Sequence, residues 1–146
     1  KKVIIRNPNA IRPWQHVIEP LSGYMLLSEK LYAEGEKWAE GWNFGPNDSD
    51  TMPVAWIVER LTRKFKYENG WHIDEGNNQH EAAYLKLDIS KVKSKLGWHP
   101  RWDIDTALEK IKDWTETYYE GGADICSICE GQINDYQSSA KFSLTK

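Results

Sequence analysis

The stretch NAIRPWQHV, residues 9–17, gathers the side chains of this sequence that are best suited to bind a charged, ring-bearing ligand. Arg12 carries a planar guanidinium that binds a phosphate or carboxylate through paired hydrogen bonds and stays charged near neutral pH. Trp14 offers a flat face, and Gln15 offers an amide. Arg6, across an Asn-Pro-Asn turn, could converge on the same anion. The pattern predicts an anion site, and a surface arginine in a structural ion pair is the competing interpretation.

A second group of candidates is His80 with Glu81, in a polar loop that the pattern places between two strands. Such loops commonly carry binding groups. A histidine next to a carboxylate can contact an anion, a ribose hydroxyl or a metal, although a metal site needs further ligands. We therefore predict no metal site here. A solvated loop pair is the alternative interpretation.

Cys126 and Cys129 form a CxxC sequence without the second pair that a zinc ribbon requires. On a helix they would lie three residues apart beside an apolar stripe. That setting favours two small packing residues over a redox pair.

A complete catalytic set is missing from the sequence. It contains neither GxGxxG nor GxxxxGK[ST], the glycine-rich turns that hold phosphates, and it contains no Tyr-x-x-x-Lys. These residues therefore predict binding without chemistry of their own.

Composition narrows the choice of partners. A net charge of −3 and a pI near 5.8 argue against nucleic acid or an anionic membrane, both of which attract basic surfaces. No stretch approaches the roughly 20 apolar residues of a membrane span. The presence of only two cysteines, and an apolar run that starts at Val3 and already stops at Arg6, favour the cytoplasm over secretion.

The 146 residues suit one domain or part of a larger protein. Because they open without Met inside an apparent strand, processing or a longer protein is expected.

Hydrophobic periodicity predicts an α+β arrangement of short strands and about five helices. Extended segments are expected at 2–5, 14–17, 42–44, 71–73 and 84–87. Helices are expected from Pro20 to Gly35, from Pro53 to Phe65, at 91–96 behind a Ser90 cap, after Asp103, and from Asp124 to about Tyr136. The remainder, 138–146, is predicted to be a polar, mobile tail.

Four motifs in this order resemble those of the extended short-chain dehydrogenase/reductases that act on nucleotide sugars. They are RPWQHV at 12–17, WNFG at 42–45, DISK at 88–91 and LGWHP at 96–100. The resemblance implies an α/β family with an NAD(P)-binding Rossmann domain. Residues 1–137 would be its C-terminal, substrate-binding portion, and the N-terminal NAD-binding half would be absent from this sequence.

Within that family the sequence is most similar to the 4,6-dehydratases, which implies CDP-glucose as substrate and NAD as cofactor. The bound NAD would take a hydride from C4, water would leave across C5 and C6, and the hydride would return to C6. The resemblance assigns the diphosphate to Arg12 and implies a homodimer. Arg6, Trp14, Gln15, His80 and Glu81 complete the expected substrate contacts, while catalytic and cofactor-binding residues would lie in the absent half. Asn78 stands where a second phosphate-binding arginine is often found.

Two alternatives stay open. An epimerase or reductase of the same superfamily would share these motifs. A stand-alone binding or interaction module would use them without catalysis. The apolar helix at 20–34 distinguishes the two cases. A fragment, isolated from its partner sheet, would expose an apolar patch on this helix and self-associate, whereas a stand-alone module would be a stable monomer.

Overall fold

The computed structural model describes residues 2–76, 82–121 and 124–139. The helices are α1 (Ile18–Glu34), α2 (Val54–Lys64), α3 (Ile104–Glu120) and α4 (Ile125–Ser139), with a short π-helix at Val92–Leu96. The strands are β1 (Val3–Ile5), β2 (Ile11–Pro13), β3 (Thr51–Pro53) and β4 (Trp71–Ile73). Single 3₁₀ turns occupy Gly35–Trp38 and Asp48–Asp50. The predicted mixture of short strands and helices is confirmed.

The strands of the described residues form two separate two-stranded sheets, not the sheet of a Rossmann domain. β1 pairs with β4 in parallel, and β2 pairs with β3 in antiparallel. Parallel strands are normally covered on both faces. Here Val3, Ile4 and Ile73 remain exposed on the parallel pair.

Two hydrophobic clusters hold the helices together. The first, named the Trp98 cluster, consists of Trp38, Phe44, Ile89, Val92, Leu96 and Trp98. The second, named the Leu108 cluster, consists of Ile57, Ile104, Ala107 and Leu108. The Trp98 cluster packs the segment after α1 against the π-helix, and the Leu108 cluster packs α2 against α3. Both clusters lie beside the chain that carries the RPWQHV motif.

Most helix ends lie within three residues of the sequence signals, and the start of α1 is corrected by two residues. The helix begins at Ile18, so Pro20 is its third residue and not its first. The first four N–H groups of a helix lack intrahelical partners, which is why proline is tolerated there. Gly35 ends α1, as predicted, with a positive φ of 62°, and Gly97 ends the π-helix with a φ of 69°. Asp103 caps α3 by accepting from the Thr106 N–H.

Three of the predicted extended segments are not strands. Residues 42–44 are irregular, because side chains replace a backbone ladder: Gln15 donates to the Phe44 carbonyl and Asn43 donates to the Asp88 carbonyl. Residues 84–87 contribute one isolated bridge, Tyr84 to Ile11. The strand expected at 14–17 lies earlier, at β2. Aromatic residues favoured strands in these places, but Trp42 and Phe44 pack in the Trp98 cluster and Trp14 packs against the Leu108 cluster.

The predicted Ser90 cap is also wrong. Asp88 accepts the Ser90 N–H at 2.8 Å, so the aspartate, two residues earlier, holds that turn. At the other end of the chain, α4 continues to Ser139, two residues into the predicted tail. Residues 140–146 lie outside the described part. Among the described helices, none has the length and apolar character needed to cross a membrane.

Candidate functional site

The RPWQHV motif starts on β2, which is fixed on both sides. On one side Arg12 pairs with Met52 of β3. On the other, the Ile11 N–H donates to the Ala83 carbonyl at 2.9 Å, and the Leu85 N–H donates to the Ile11 carbonyl at 3.1 Å. This strand is therefore a rigid base for the side chains that follow.

The Arg12 side chain turns toward the segment that begins at Ala82. Its Nη1 donates to the Ala82 carbonyl at 2.9 Å and to the Ile11 carbonyl at 2.8 Å. Ala82 comes directly after Glu81 in the sequence. Two hydrogen bonds from one nitrogen fix the direction of the guanidinium. They place its positive charge beside Ala82, the residue that follows the predicted His80–Glu81 pair in the sequence.

Trp14 is half-buried and faces inward. Its indole Nε1–H donates to the Met52 carbonyl at 2.9 Å, and the ring packs against the Leu108 cluster. The predicted contact of this ring with a ligand stays a prediction. Through this hydrogen bond and this packing, Trp14 holds the residues after β2 against β3 and the Leu108 cluster.

Gln15 bridges the RPWQHV motif to the WNFG motif. Its Nε2 donates to the Phe44 carbonyl at 2.9 Å. Its Oε1 is buried and accepts no hydrogen bond from the residues that the structure describes. Leaving a buried acceptor unpaired costs about 1–3 kcal/mol. Such a carbonyl oxygen is a candidate acceptor for a donor that is not among these residues.

The remaining predicted contacts are less closely placed. Arg6 is exposed just after β1, ahead of the turn in which the Ala10 N–H donates to the Asn7 carbonyl. His80 and Glu81 lie outside the described residues, as does Asn78. Arg12, Trp14 and Gln15 thus share one short segment, and the assignment of all six residues to a substrate stays a prediction.

His16 of the same motif is a buried structural residue. Its Nδ1 accepts from the Ile18 N–H at 3.3 Å, and its ring lies edge-on to Trp102, with centroids 5.2 Å apart. Burial lowers the pKa of His16 below its ordinary value, and the positive charge of Lys110 lowers it further. The imidazole is thus held neutral at the start of α1.

The other motif residues connect separate segments of the chain. The Lys91 ammonium donates to the Gly41 carbonyl at 2.7 Å and lies 4.5 Å from the ring centroid of Trp42. Trp98 packs edge-on against Phe44 and donates to the Ser22 hydroxyl at 2.9 Å. These contacts tie α1 to the WNFG, DISK and LGWHP segments. The motifs that carry the resemblance therefore hold the framework around Arg12 and Gln15.

Two buried carboxylates, Glu19 and Asp50, have no recognisable signal in the sequence. Glu19 is fully buried and accepts from the backbone N–H groups of Arg101 and Trp102 and from the Tyr136 hydroxyl. Asp50 accepts from the Ile104 N–H at 3.0 Å, at the first residue of α3. Their partners are more than 50 residues away, so no local spacing could have revealed them. Both side chains therefore have structural roles: Glu19 holds the start of α1, and Asp50 holds the start of α3.

The site thus consists of an oriented arginine on a short strand, with the four motifs connected around it. Over 139 residues, 95% of its length, the chain is 47% identical to the CDP-glucose 4,6-dehydratase of Salmonella typhimurium. The resemblance predicted from the sequence is thereby confirmed. The chain spans 38% of the length of that relative.

A second relative is more distant. The chain is 26% identical over 78 residues to UDP-glucuronate 4-epimerase 4 of Arabidopsis thaliana. This match covers 53% of the chain and 18% of the epimerase. No family model matches the chain. Both relatives carry names of enzymes that act on nucleotide sugars, which supports the superfamily predicted from the motifs.

Proposed function

We propose that this chain is the nucleotide-sugar-binding part of a CDP-glucose 4,6-dehydratase, which converts CDP-glucose into CDP-4-keto-6-deoxyglucose and water. The observation that carries the proposal is the 47% identity across 95% of the chain. Because the chain spans 38% of that relative, the activity would belong to a longer polypeptide. Alone, the chain is expected to be inactive.

In this proposal Arg12 binds the diphosphate. Its guanidinium is already oriented by the Ala82 and Ile11 carbonyls, so little side-chain freedom is lost when an anion arrives. A guanidinium pairs with phosphate oxygens through charge-assisted hydrogen bonds. The binding free energy of the diphosphate, remote from the reacting carbons, would hold the hexose in place for the reaction.

The other contacts would surround this anion. The unpaired Oε1 of Gln15 supports a role for that amide, because a donor from the ligand or from the rest of the protein would satisfy it. Trp14, Arg6, His80 and Glu81 are proposed to complete the substrate site, as the resemblance implies.

The NAD cofactor would be held elsewhere. The sequence lacks a glycine-rich phosphate turn, and the described strands form two-stranded sheets only. These residues therefore do not fit a dinucleotide, and no catalytic group is assigned to this chain. The proposal also includes a cytoplasmic homodimer, which is what the resemblance implies for the complete enzyme.

The surface of α1 favours a part of a larger protein over a stand-alone module. Its outward side exposes Leu21, Tyr24, Met25, Leu31 and Tyr32, with Met25 at 68% and Tyr32 at 97%. The exposed parallel pair β1 and β4 adds a second surface that such strands normally cover. A complete domain would bury both. Self-association of the isolated chain in sedimentation velocity is expected, and a clean, stable monomer would favour the module.

The direct test supplies the complete polypeptide with CDP-glucose and NAD and follows the sugar by mass spectrometry. A dehydratase yields a product lighter by one water, with a 4-keto group that reacts with a carbonyl reagent. A product of unchanged mass with an inverted carbon would indicate an epimerase of the same superfamily. Unaltered CDP-glucose, with a polypeptide that is folded and binds NAD, would contradict the proposal.

A further inference from the structure

Cys126 and Cys129 are free and exposed on α4, so they are not the small packing residues that the sequence predicted. Exposure and their spacing along the helix assign them no function. The apolar side chains next to Arg12 are placed much more specifically, because the register of the strands fixes which residues are neighbours.

The pairing of β2 with β3 sets Met52 directly opposite Arg12. Side chains of directly opposite residues lie on the same face of an antiparallel pair, with Cβ atoms about 4.5–5.5 Å apart. On the other edge of β2, Ile11 forms a parallel bridge with Tyr84. The next position along this register places Leu85 beside Arg12 on the same face. The Arg12 face therefore consists of Met52, Arg12 and Leu85, a cation between two apolar side chains.

The Arg12 face is accessible, and its backbone is held without the Met52 side chain. Met52 is half-buried and Leu85 is 48% exposed. The Trp14 indole donates to the Met52 carbonyl, and the Arg12 guanidinium donates to the Ala82 carbonyl. Met52 belongs to neither the Trp98 cluster nor the Leu108 cluster. Packing of the two clusters therefore does not account for a methionine at this position.

The role of Met52 rests on the proposed function, in which Arg12 binds the diphosphate of a nucleotide sugar. The hexose would have to reach the cofactor, which the described residues do not fit. The nucleoside, attached at the opposite end of the diphosphate, is the ring-bearing group that remains for the Arg12 face. A methionine thioether packs favourably on aromatic rings, with the sulfur about 5 Å from the ring.

We propose that Met52 is a specificity-determining residue whose thioether packs against the pyrimidine ring of the nucleotide sugar bound at Arg12. Arg12 supplies the charge that holds the diphosphate, and Met52 supplies the apolar contact that holds the nucleoside. Loss of the Met52 side chain therefore weakens the binding of a pyrimidine nucleotide and leaves the binding of a bare diphosphate unaltered.

The test uses the complete polypeptide and two ligands. Isothermal titration calorimetry measures the Kd of CDP-glucose, and competition against CDP-glucose measures the Kd of pyrophosphate. Met52→Ala is expected to raise the Kd of CDP-glucose about two- to tenfold and to leave that of pyrophosphate unchanged. Arg12→Ala should raise both. Met52→Leu keeps the apolar volume and should bind both ligands nearly as the wild type does.

Met52→Gln provides a second variant, because it keeps the length of the side chain and removes its apolar character. It should weaken CDP-glucose as Met52→Ala does, and it replaces that variant if circular dichroism shows that the alanine variant is not folded. An unchanged Kd of CDP-glucose in a folded variant would overturn the role of Met52. An equal rise in the Kd of pyrophosphate would overturn it too, since Met52 would then act by displacing Arg12. Failure of pyrophosphate to compete in the wild type would remove the diphosphate site that this role requires.

The same variants separate the role of Met52 from the dehydratase assignment. A Met52→Ala enzyme that forms the 4-keto product and binds CDP-glucose with the wild-type Kd would contradict the role of Met52 alone. Binding of CDP-glucose that depends on Met52, without formation of the 4-keto product, would support the role of Met52 and contradict the dehydratase assignment.

Discussion

The Tyr136 hydroxyl donates a hydrogen bond of 2.7 Å to the Glu19 carboxylate, which joins α4 to α1 across 117 positions of sequence. The same carboxylate accepts from the backbone N–H groups of Arg101 and Trp102 at 3.0 and 2.7 Å. One side chain therefore connects two helices and the loop that precedes α3. Because Glu19 follows the RPWQHV motif by only two residues, it also fixes the start of α1 behind the candidate site.

Glu19→Gln is expected to lower the free energy of unfolding by about 1–3 kcal/mol. The amide would turn its NH₂ group toward donors that now face a carboxylate oxygen, and at least one buried donor would lose its acceptor. Urea unfolding followed by tryptophan fluorescence measures the change. Glu29→Gln, on the exposed side of the same helix, should stay within about 0.5 kcal/mol of the wild type. Equal effects of the two substitutions would show that the Glu19 contacts contribute nothing.

His16 is expected to make the fold sensitive to acid. Burial and Lys110 lower its pKa in the folded state, so the unfolded chain binds the proton more readily. The stability from neutral His16 is therefore complete above about pH 6.5, the ordinary value, and is lost as the pH falls below it. Glu19 acts in the opposite direction, since burial raises its pKa despite the hydrogen bonds that it accepts, and the folded state gains from its protonation.

Comparison of two variants isolates the His16 contribution. His16→Asn keeps an acceptor for the Ile18 N–H but cannot titrate, so its stability should fall less than that of the wild type between pH 7.5 and 5.5. His99→Asn, at an exposed position, should retain the wild-type dependence. Thermal unfolding across this pH range provides the measurement. Parallel curves for the wild type and His16→Asn would contradict the prediction.

Gly23 and Gly131 are both helical glycines, but a methyl group meets different surroundings at each. A Cβ at Gly23 would overlap the Phe44 ring, which Tyr24 and Trp98 hold by edge-on contacts. Gly23→Ala should therefore destabilise by about 1–3 kcal/mol. A Cβ at Gly131 meets nothing within 4 Å, and Gly131→Ala should stabilise α4 by about 0.5–1 kcal/mol. Melting temperatures that move in the same direction for both would refute the packing argument.

Local patterns predicted much of this fold because local chemistry determines helix ends. Asp103 caps α3 with its own side chain, and Gly35 and Gly97 adopt the positive φ that other residues avoid. Asp103 also marks the start of α3 where the sequence predicted a helix to follow it. Each of these signals lies within a few residues of the feature that it predicts.

The failures involve partners that are distant in sequence. Glu19 precedes the predicted helix start at Pro20 and has no local signal, because the groups that donate to it meet only after α4 folds back against α1. Residues 42–44 carry strand-forming aromatic side chains, yet the Gln15 side chain, and not a neighbouring strand, donates to the Phe44 carbonyl, while Asn43 donates to the distant Asp88 carbonyl. At the candidate site, the sequence predicts a role for Arg12, but only the fold shows that the Ala82 carbonyl orients it.

Arg12→Ala in the complete polypeptide is the substitution that tests the substrate site. It should weaken binding of CDP-glucose by about 1.5–3 kcal/mol, the range for a hydrogen bond to a charged group, which corresponds to roughly a tenfold to hundredfold increase in Kd. Isothermal titration calorimetry measures the Kd directly.

Arg12→Lys keeps the charge and loses the paired geometry, so an intermediate Kd is expected. Arg63→Ala, at an exposed position near the end of α2, is the matched control and should leave Kd unchanged. Because Arg12 also bonds to the Ala82 carbonyl, circular dichroism must show that the alanine variant is folded. A folded Arg12→Ala variant with wild-type Kd and KM would remove this arginine from the substrate site, while activity of the wild type would still support the dehydratase assignment.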